Sequence, residues 1–246
     1  MMFGVTAVGT ATAGYFLSLG SVGLFVLSAI MLRAAVTDYK LPVLIILIAS
    51  LLALVALLLS LGALVFGQIS QLNVPRSLIA VVLSAAVFVP VFLAGRALEG
   101  MPMINDIMTD INNPPQFEVV PTQRKAFDNS LELSEKRLAL HEKHYGDLAP
   151  LILEGTPDGH FDKVLALIKA RGWKIVAENR SEGIVEATDT TVLFGFKDDV
   201  VIRLTAENRA TRIDMRSASR QGQSDYRVNA NRIEAFMADL KTASDN

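Results

Sequence analysis

The side chains best able to do chemistry in this chain crowd its last quarter. From Arg203 to Arg232 there are seven arginines, no lysine and three acids, Glu207, Asp214 and Asp225. Guanidinium groups used to the exclusion of ammonium groups suit planar, bidentate partners, either carboxylates or phosphates. The stretches "GFKDDVVIRL" and "RIDMRSASRQGQSD" alternate with a period of two. Val200, Ile202 and Leu204 then share one strand face and Arg203 the other. On the next strand Ile213 and Met215 face inward while Arg212, Asp214 and Arg216 share the opposite side. The functional reading is an anion site built from Arg203, Asp214, Arg216, Ser217, Ser219 and Arg220, with a lipid phosphate or a small acidic ligand as its occupant. The competing reading is cross-strand Arg–Asp–Arg pairing that fixes register and caps the last helix. The balance falls to pairing, with the anion site as the nearest functional alternative.

Other candidates are weaker. Asp198 and Asp199 open this face and, with Asp214, are the carboxylates an acid/base enzyme would use. No nucleophile elbow, phosphate-cradling glycine loop or dinucleotide fingerprint accompanies them. Ser224 has no histidine nearby in sequence, and it or Asp225 is needed as a helix cap. In "NDIMTDINNPPQF" (residues 105–117) Asp106, Thr109, Asp110, Asn112 and Asn113 offer oxygen ligands, yet the glycine and terminal glutamate of a calcium loop are missing. Asx residues beside Pro114 and Pro115 are what turn chemistry selects. His141 and His144 are three apart around Glu142, where a zinc-protease helix needs four, so an exposed helical face is expected. Cysteine is absent, which excludes disulfides, thiolate catalysis and cysteine–zinc sites. No catalytic residue, metal or cofactor is assigned.

Two very different halves must position these residues. The 246 residues are 51% hydrophobic, with the excess confined to the first hundred. Only four basic and two acidic residues precede Met101, leaving 19 basic and 23 acidic residues behind them. A net-negative second half argues against general nucleic-acid binding. Spans are expected at about 15–33, 41–67 and 77–95. The second alone is uncharged for 27 positions, roughly 40 Å of helix against the ~30 Å hydrocarbon core. None carries an intramembrane Asp, Glu, Lys, Arg or His, as an ion or proton pathway usually does. Residues 1–98 therefore read as a transmembrane region, 99–118 as a junction and 119–246 as an extramembrane domain.

In that domain "LELSEKRLALHEKHYG" reads as a helix ended by Gly146. A second starts at Thr156, with Pro157 in its first position, and ends at Gly172. Four strands follow, "WKIVAE", "GIVEATDTTVLFGF", "DDVVIRLTA" and "TRIDMRSAS", then a helix from about Asp225. The fold class expected is three transmembrane helices plus an α+β domain, its four-stranded, mostly antiparallel sheet covered by helices on one face.

The blocks "NDIMTDINNPPQF", "HYGDLAPLIL", "ARGWKIV", "GIVEATDTTVLFGFKDDVVIRL", "RIDMRSASRQGQSD" and "NANRIEAF" together resemble the uncharacterised family called domain of unknown function 1499, over about residues 102–240. Two departures stand out. The family's opening block usually has a histidine where this chain has Asn105, so no metal or acid/base role carries over to that position. Tyr226 and Arg227 are bulkier than the usual small residues. The resemblance implies a bacterial protein with this domain outside the cytoplasm. Charge counting in the loops, with two basic residues in 33–40 against one in 68–76, points to the cytoplasm instead. The expectation adopted is an inner-membrane protein with a periplasmic domain, the cytoplasmic one being the alternative. Its function is expected to be binding, as an accessory subunit or scaffold of a membrane complex. Its partners would be the lipid bilayer, other membrane-protein subunits and an anionic lipid, with no nucleic acid. The alternatives are the anion binder and a cell-envelope enzyme of unknown reaction.

Overall fold

The computed structural model describes the backbone of residues 2–66 and 73–245, and side chains from residues 9–66 and 74–245. The chain divides into two compact units, Met1–Glu99 and Gly100–Asn246. In the first, α1 (Met2–Ala34), α2 (Lys40–Phe66) and α3 (Asn73–Ala97) pack on one another. All three are long and apolar enough to cross a membrane. Small residues form their shared interface: Ala11, Ala49, Ala53, Ala56 and Ala80 are fully buried. A β-carbon on Gly14 would collide with Ser60 Oγ, so α1 and α2 approach as closely as glycine allows. Large side chains such as Phe16, Leu44, Leu51 and Phe92 point outward. Pro90 sits inside α3 without ending it. Gly67, the expected end of the second span, and residues 68–72 of the following loop lie outside the described residues.

The second unit contains β1 (Asp106–Met108), α4 (Val120–Gln123), α5 (Glu135–Tyr145), β2 (Leu151–Glu154), α6 (Pro157–Ala170), β3 (Lys174–Asn179), β4 (Ile184–Thr190), β5 (Lys197–Glu207), β6 (Ala210–Ser219) and α7 (Val228–Asp245). The sheet has six strands, not the expected four, in the order β1-β6-β5-β4-β3, with β2 also on β6. Every pairing is antiparallel. The two additional strands are only three and four residues long and share the outer edge of β6. A period-two pattern cannot be seen over so few residues. The expected strand 183–196 stops at Thr190, because Thr191–Phe196 forms the turn of the β4–β5 hairpin, closed by Thr191 N–H to Phe196 O at 2.9 Å.

Helix α6 starts where its sequence requires. Thr156 caps it by accepting from Gly159 N–H, and Pro157 occupies its first turn. Phe161, Val164 and Ile168 of α6 meet Ile233, Phe236 and Leu240 of α7 over Val200, Ile202, Leu204, Ile213 and Met215 of the sheet. Ile107 of β1 joins the same core.

Candidate functional site

The other face of the sheet is also covered, and not by helices. Register places Glu186 and Thr188 of β4, Asp199, Val201 and Arg203 of β5, and Arg212, Asp214, Arg216 and Ala218 of β6 on that side, with Asp106 of β1 beside Ala218. Residues 109–133, a strap of irregular chain containing only the single turn of α4, lie over them. The result is a buried layer of charge between sheet and strap.

Each carboxylate in the layer has named donors. Arg216 clasps Asp106 bidentately, Nε to Oδ1 at 2.9 Å and Nη2 to Oδ2 at 2.7 Å. The same guanidinium donates to the strap carbonyls of Pro115 and Leu131 and lies over the Phe117 ring. Asp199 accepts from Arg220 Nε and Nη2, Arg124 Nε and Thr188 Oγ1, at 2.7–2.9 Å. Asp214 accepts from Arg203 Nη2 at 3.0 Å, Arg212 Nε at 3.1 Å and Thr109 Oγ1 at 3.2 Å. Arg212 also reaches Asp110, whose other carboxylate oxygen accepts the Asn112 and Asn113 amides. Glu186 takes the backbone N–H groups of Glu118, Val119 and Val120. Burial holds the Arg124 guanidinium below its ordinary value, against the opposing pull of Asp199. The bond to Asp214 raises that of Arg212.

The six residues singled out in sequence are therefore divided by the sheet. Arg203, Asp214, Arg216 and Arg220 meet the strap. Ser217 and Ser219 point the other way, into a second polar cluster at the start of α7. There Asn229 Nδ2 donates to Ser219 Oγ at 2.9 Å and to the carbonyl of Asn105 at 3.1 Å. Asn229 Oδ1 accepts from Ser217 and from Arg232, and Arg232 Nη2 reaches Asp198 at 2.6 Å and Asp189 at 2.9 Å. Asp225 caps α7 through the Arg227 and Asn229 amides. Burial raises its carboxyl above the usual range, and those two bonds offset only part of the rise. Tyr226 and Arg227 hold left-handed backbone at φ 54° and 65°, so the turn into α7 is strained.

His141 departs from the exposed face expected of it. It is buried, and its Nε2 accepts the Met108 N–H at 3.0 Å. Nδ1 then carries the proton and has no partner among the described residues. Burial lowers the histidine from its ordinary value. His144 is exposed, and His160 Nε2 pairs with the Glu154 carbonyl at 2.8 Å.

Glu186, Arg124, Asn229, Arg232 and the Asp106 partner of Arg216 were missed from sequence. Only Glu186 left a signal there, as an acid interrupting the strand "GIVEATDT" between Val185 and Ala187. Among the described residues no group of three or more His, Asp or Glu is arranged to hold a metal ion. What the layer does chemically is neutralise itself: five arginines are matched by four aspartates, Asp106, Asp110, Asp199 and Asp214, and by Glu186, which backbone amides hold.

A family model described as a protein of unknown function, DUF1499, matches residues 106–240, from β1 to the later turns of α7. No curated protein matches the chain.

Proposed function

The chain belongs to the DUF1499 family of proteins of unknown function, and on that premise we propose that it is a membrane-anchored binding protein, an accessory subunit or scaffold of a membrane complex. The observation that carries this reading is the internal pairing of the charged side chains. Arg216 with Asp106 and Arg220 with Asp199 are buried ion pairs, and buried Asp214 is held by Arg203 and Arg212, so these groups serve as architecture and leave the outer surfaces for recognition. The three apolar helices supply the anchor and a packing surface for other helices. Extraction in mild detergent followed by native mass spectrometry tests the reading. A stoichiometric protein partner is expected, and a chain that emerges alone overturns it. The domain is proposed to face the periplasm of a bacterial inner membrane. Protease added to spheroplasts then removes it, whereas a cytoplasmic domain survives.

A second reading keeps an anion in view, because the Arg203 Nε is buried without a partner among the described residues while its Nη2 holds Asp214 and the Asn113 carbonyl. A phosphate placed at the edge between Arg203 and Arg212 would use that donor, against the opposing charge of Asp110. Binding of phosphatidylglycerol that is lost in Arg203→Gln supports this reading, and unchanged binding in a folded variant removes it.

A further inference from the structure

Six of the eight large apolar side chains exposed among the described residues of the second unit gather at one end of its sheet. Strands β4 and β6 run toward that end, while β5 and β1 start from it. Asn105, Ser219 and Asp198 lie in one row there, joined by the Ser219 N–H to Asn105 O bond and the Asp198–Ser219 register. Three segments project beyond the row: the chain entering β1, the β4–β5 turn and the chain leaving β6 for α7. They carry Met101 and Met103, Val192 and Leu193, and Tyr226 and Val228, all exposed. Val119 and Ile152 are the other large apolar side chains exposed in this unit.

The β4–β5 turn is the extreme case. Thr190–Phe196 reads "TTVLFGF" and carries no charge. Val192 is 89% and Leu193 60% exposed. Gly195 N–H donates to Thr191 O at 3.0 Å and Phe196 N–H to Thr191 Oγ1 at 2.9 Å, and Gly195 has φ 68°. The Phe194 and Phe196 rings, both half-buried, lie 5.8 Å apart.

We propose that this end of the domain seats on the lipid interface, with Val192 and Leu193 entering the acyl boundary and the two phenylalanines at headgroup level. The inference rests on the reading that the three helices cross a membrane. The chain supplies the reason for choosing lipid. Only residues 98–105 separate α3 from β1, a tether of at most about 30 Å, and they enter the domain at this very end. Tethering at such a distance gives a high effective concentration, so a few apolar side chains suffice. A free protein partner would need on the order of 20–30 residues a side, far more than this rim offers.

The chain has no cysteine, so single probes can be placed cleanly. Leu193→Cys, Val192→Cys and, in the hairpin at the opposite end of β5, Glu207→Cys are each labelled with an environment-sensitive fluorophore. The full chain is reconstituted in phosphatidylcholine vesicles containing lipid with a nitroxide near the headgroup end of its acyl chain. Retention through an alkaline wash reports the spans separately from the tip. Several-fold stronger lipid quenching at 192 and 193 than at 207, unchanged by high salt, is expected. Equal access of all three probes to an aqueous quencher, in a chain that survives the wash, overturns the seating and leaves the spans standing. A blue-shifted tip probe that lipid does not quench overturns it in favour of a covering protein. Loss of the chain in the wash overturns the membrane reading itself, and this one with it.

Discussion

Arg216 is the largest fully buried side chain among the described residues, and a guanidinium does not escape burial by losing its proton. Removing it from water is offset by Asp106, by the carbonyls of Pro115 and Leu131 and by the Phe117 ring beneath it. Arg216→Met therefore strands a buried carboxylate and is expected to cost about 3–5 kcal/mol. Arg216→Lys is expected to fail too, because an ammonium cannot reproduce the two-pronged clasp. Adding Asp106→Leu to Arg216→Met removes the stranded charge, and most of the loss is expected to return in denaturant titrations. His141 makes the complementary case in pH. Its Nε2 accepts a backbone N–H, so protonating that nitrogen forfeits the Met108 bond, and burial penalises the charged ring further. A histidine held below its unfolded value contributes stability that is complete above about 6.5. That contribution is lost as the pH falls through its folded value. Around the ring, Asp106 and Glu142 pull the other way without reversing the shift, and Tyr145 packs alongside. The denaturant midpoint is expected to drop between pH 7.5 and 5.5, with a shallower slope in His141→Gln. Identical slopes in the two proteins would overturn the assignment to His141.

The strap is irregular chain held by many side-chain bonds. Glu186 pins it at Glu118–Val120, Arg124 at Asp199 and the carbonyl of Ala218, and Asn129 at Ser219 and Gly222. Glu186→Gln keeps the shape but turns one acceptor into a donor aimed at amide N–H groups. A loss of about 1–3 kcal/mol is expected, together with earlier proteolysis within residues 110–133. A loss without new cleavage in the strap would place the damage in β4 instead. This element also shows where sequence reasoning stopped. Helix α6 was legible because Thr156, Pro157 and the Phe161–Val164–Ile168 stripe are local signals. The cross-strand Arg203–Asp214 pair was legible because apolar and charged residues alternate over Ile202–Leu204 and Arg212–Arg216. Strand β1 was not, since Asp106–Met108 becomes a strand only by pairing with residues 216–218, more than a hundred positions away. The strap's asparagines and prolines spell a hinge, and nothing local announces that they roof a charged face. Buried guanidinium groups look from sequence like exposed ones, which is why an anion site and an internal ion-pair layer competed so closely.

At the scale of the molecule, the second unit closes its own accounts. Its apolar core runs from Ile104 to Leu240, and the ion pairs of the strap and of Arg232 close within residues 106–232. A chain of about 150 residues buries some 68–70% of its unfolded surface, enough to stand alone. That inventory lies within the second unit, which is therefore expected to fold on its own. The single tryptophan makes this measurable. Trp173 is buried and stacked on Phe236 at 5.7 Å, with Arg171 over the rings of both residues, so its emission reports this core and nothing in the helices. Residues 100–246 produced without the spans are expected to unfold in one cooperative step. The denaturant midpoint of Trp173 emission should match that of the full chain in detergent micelles. A fragment with no cooperative transition would mean that the anchor takes part in folding. A matched midpoint makes the domain an autonomous module whose link to the membrane acts through tether length and the apolar rim. Lipid would then raise the midpoint of the full chain in vesicles above that in micelles only if the Val192–Leu193 tip is bound, because binding to the folded state alone stabilises it.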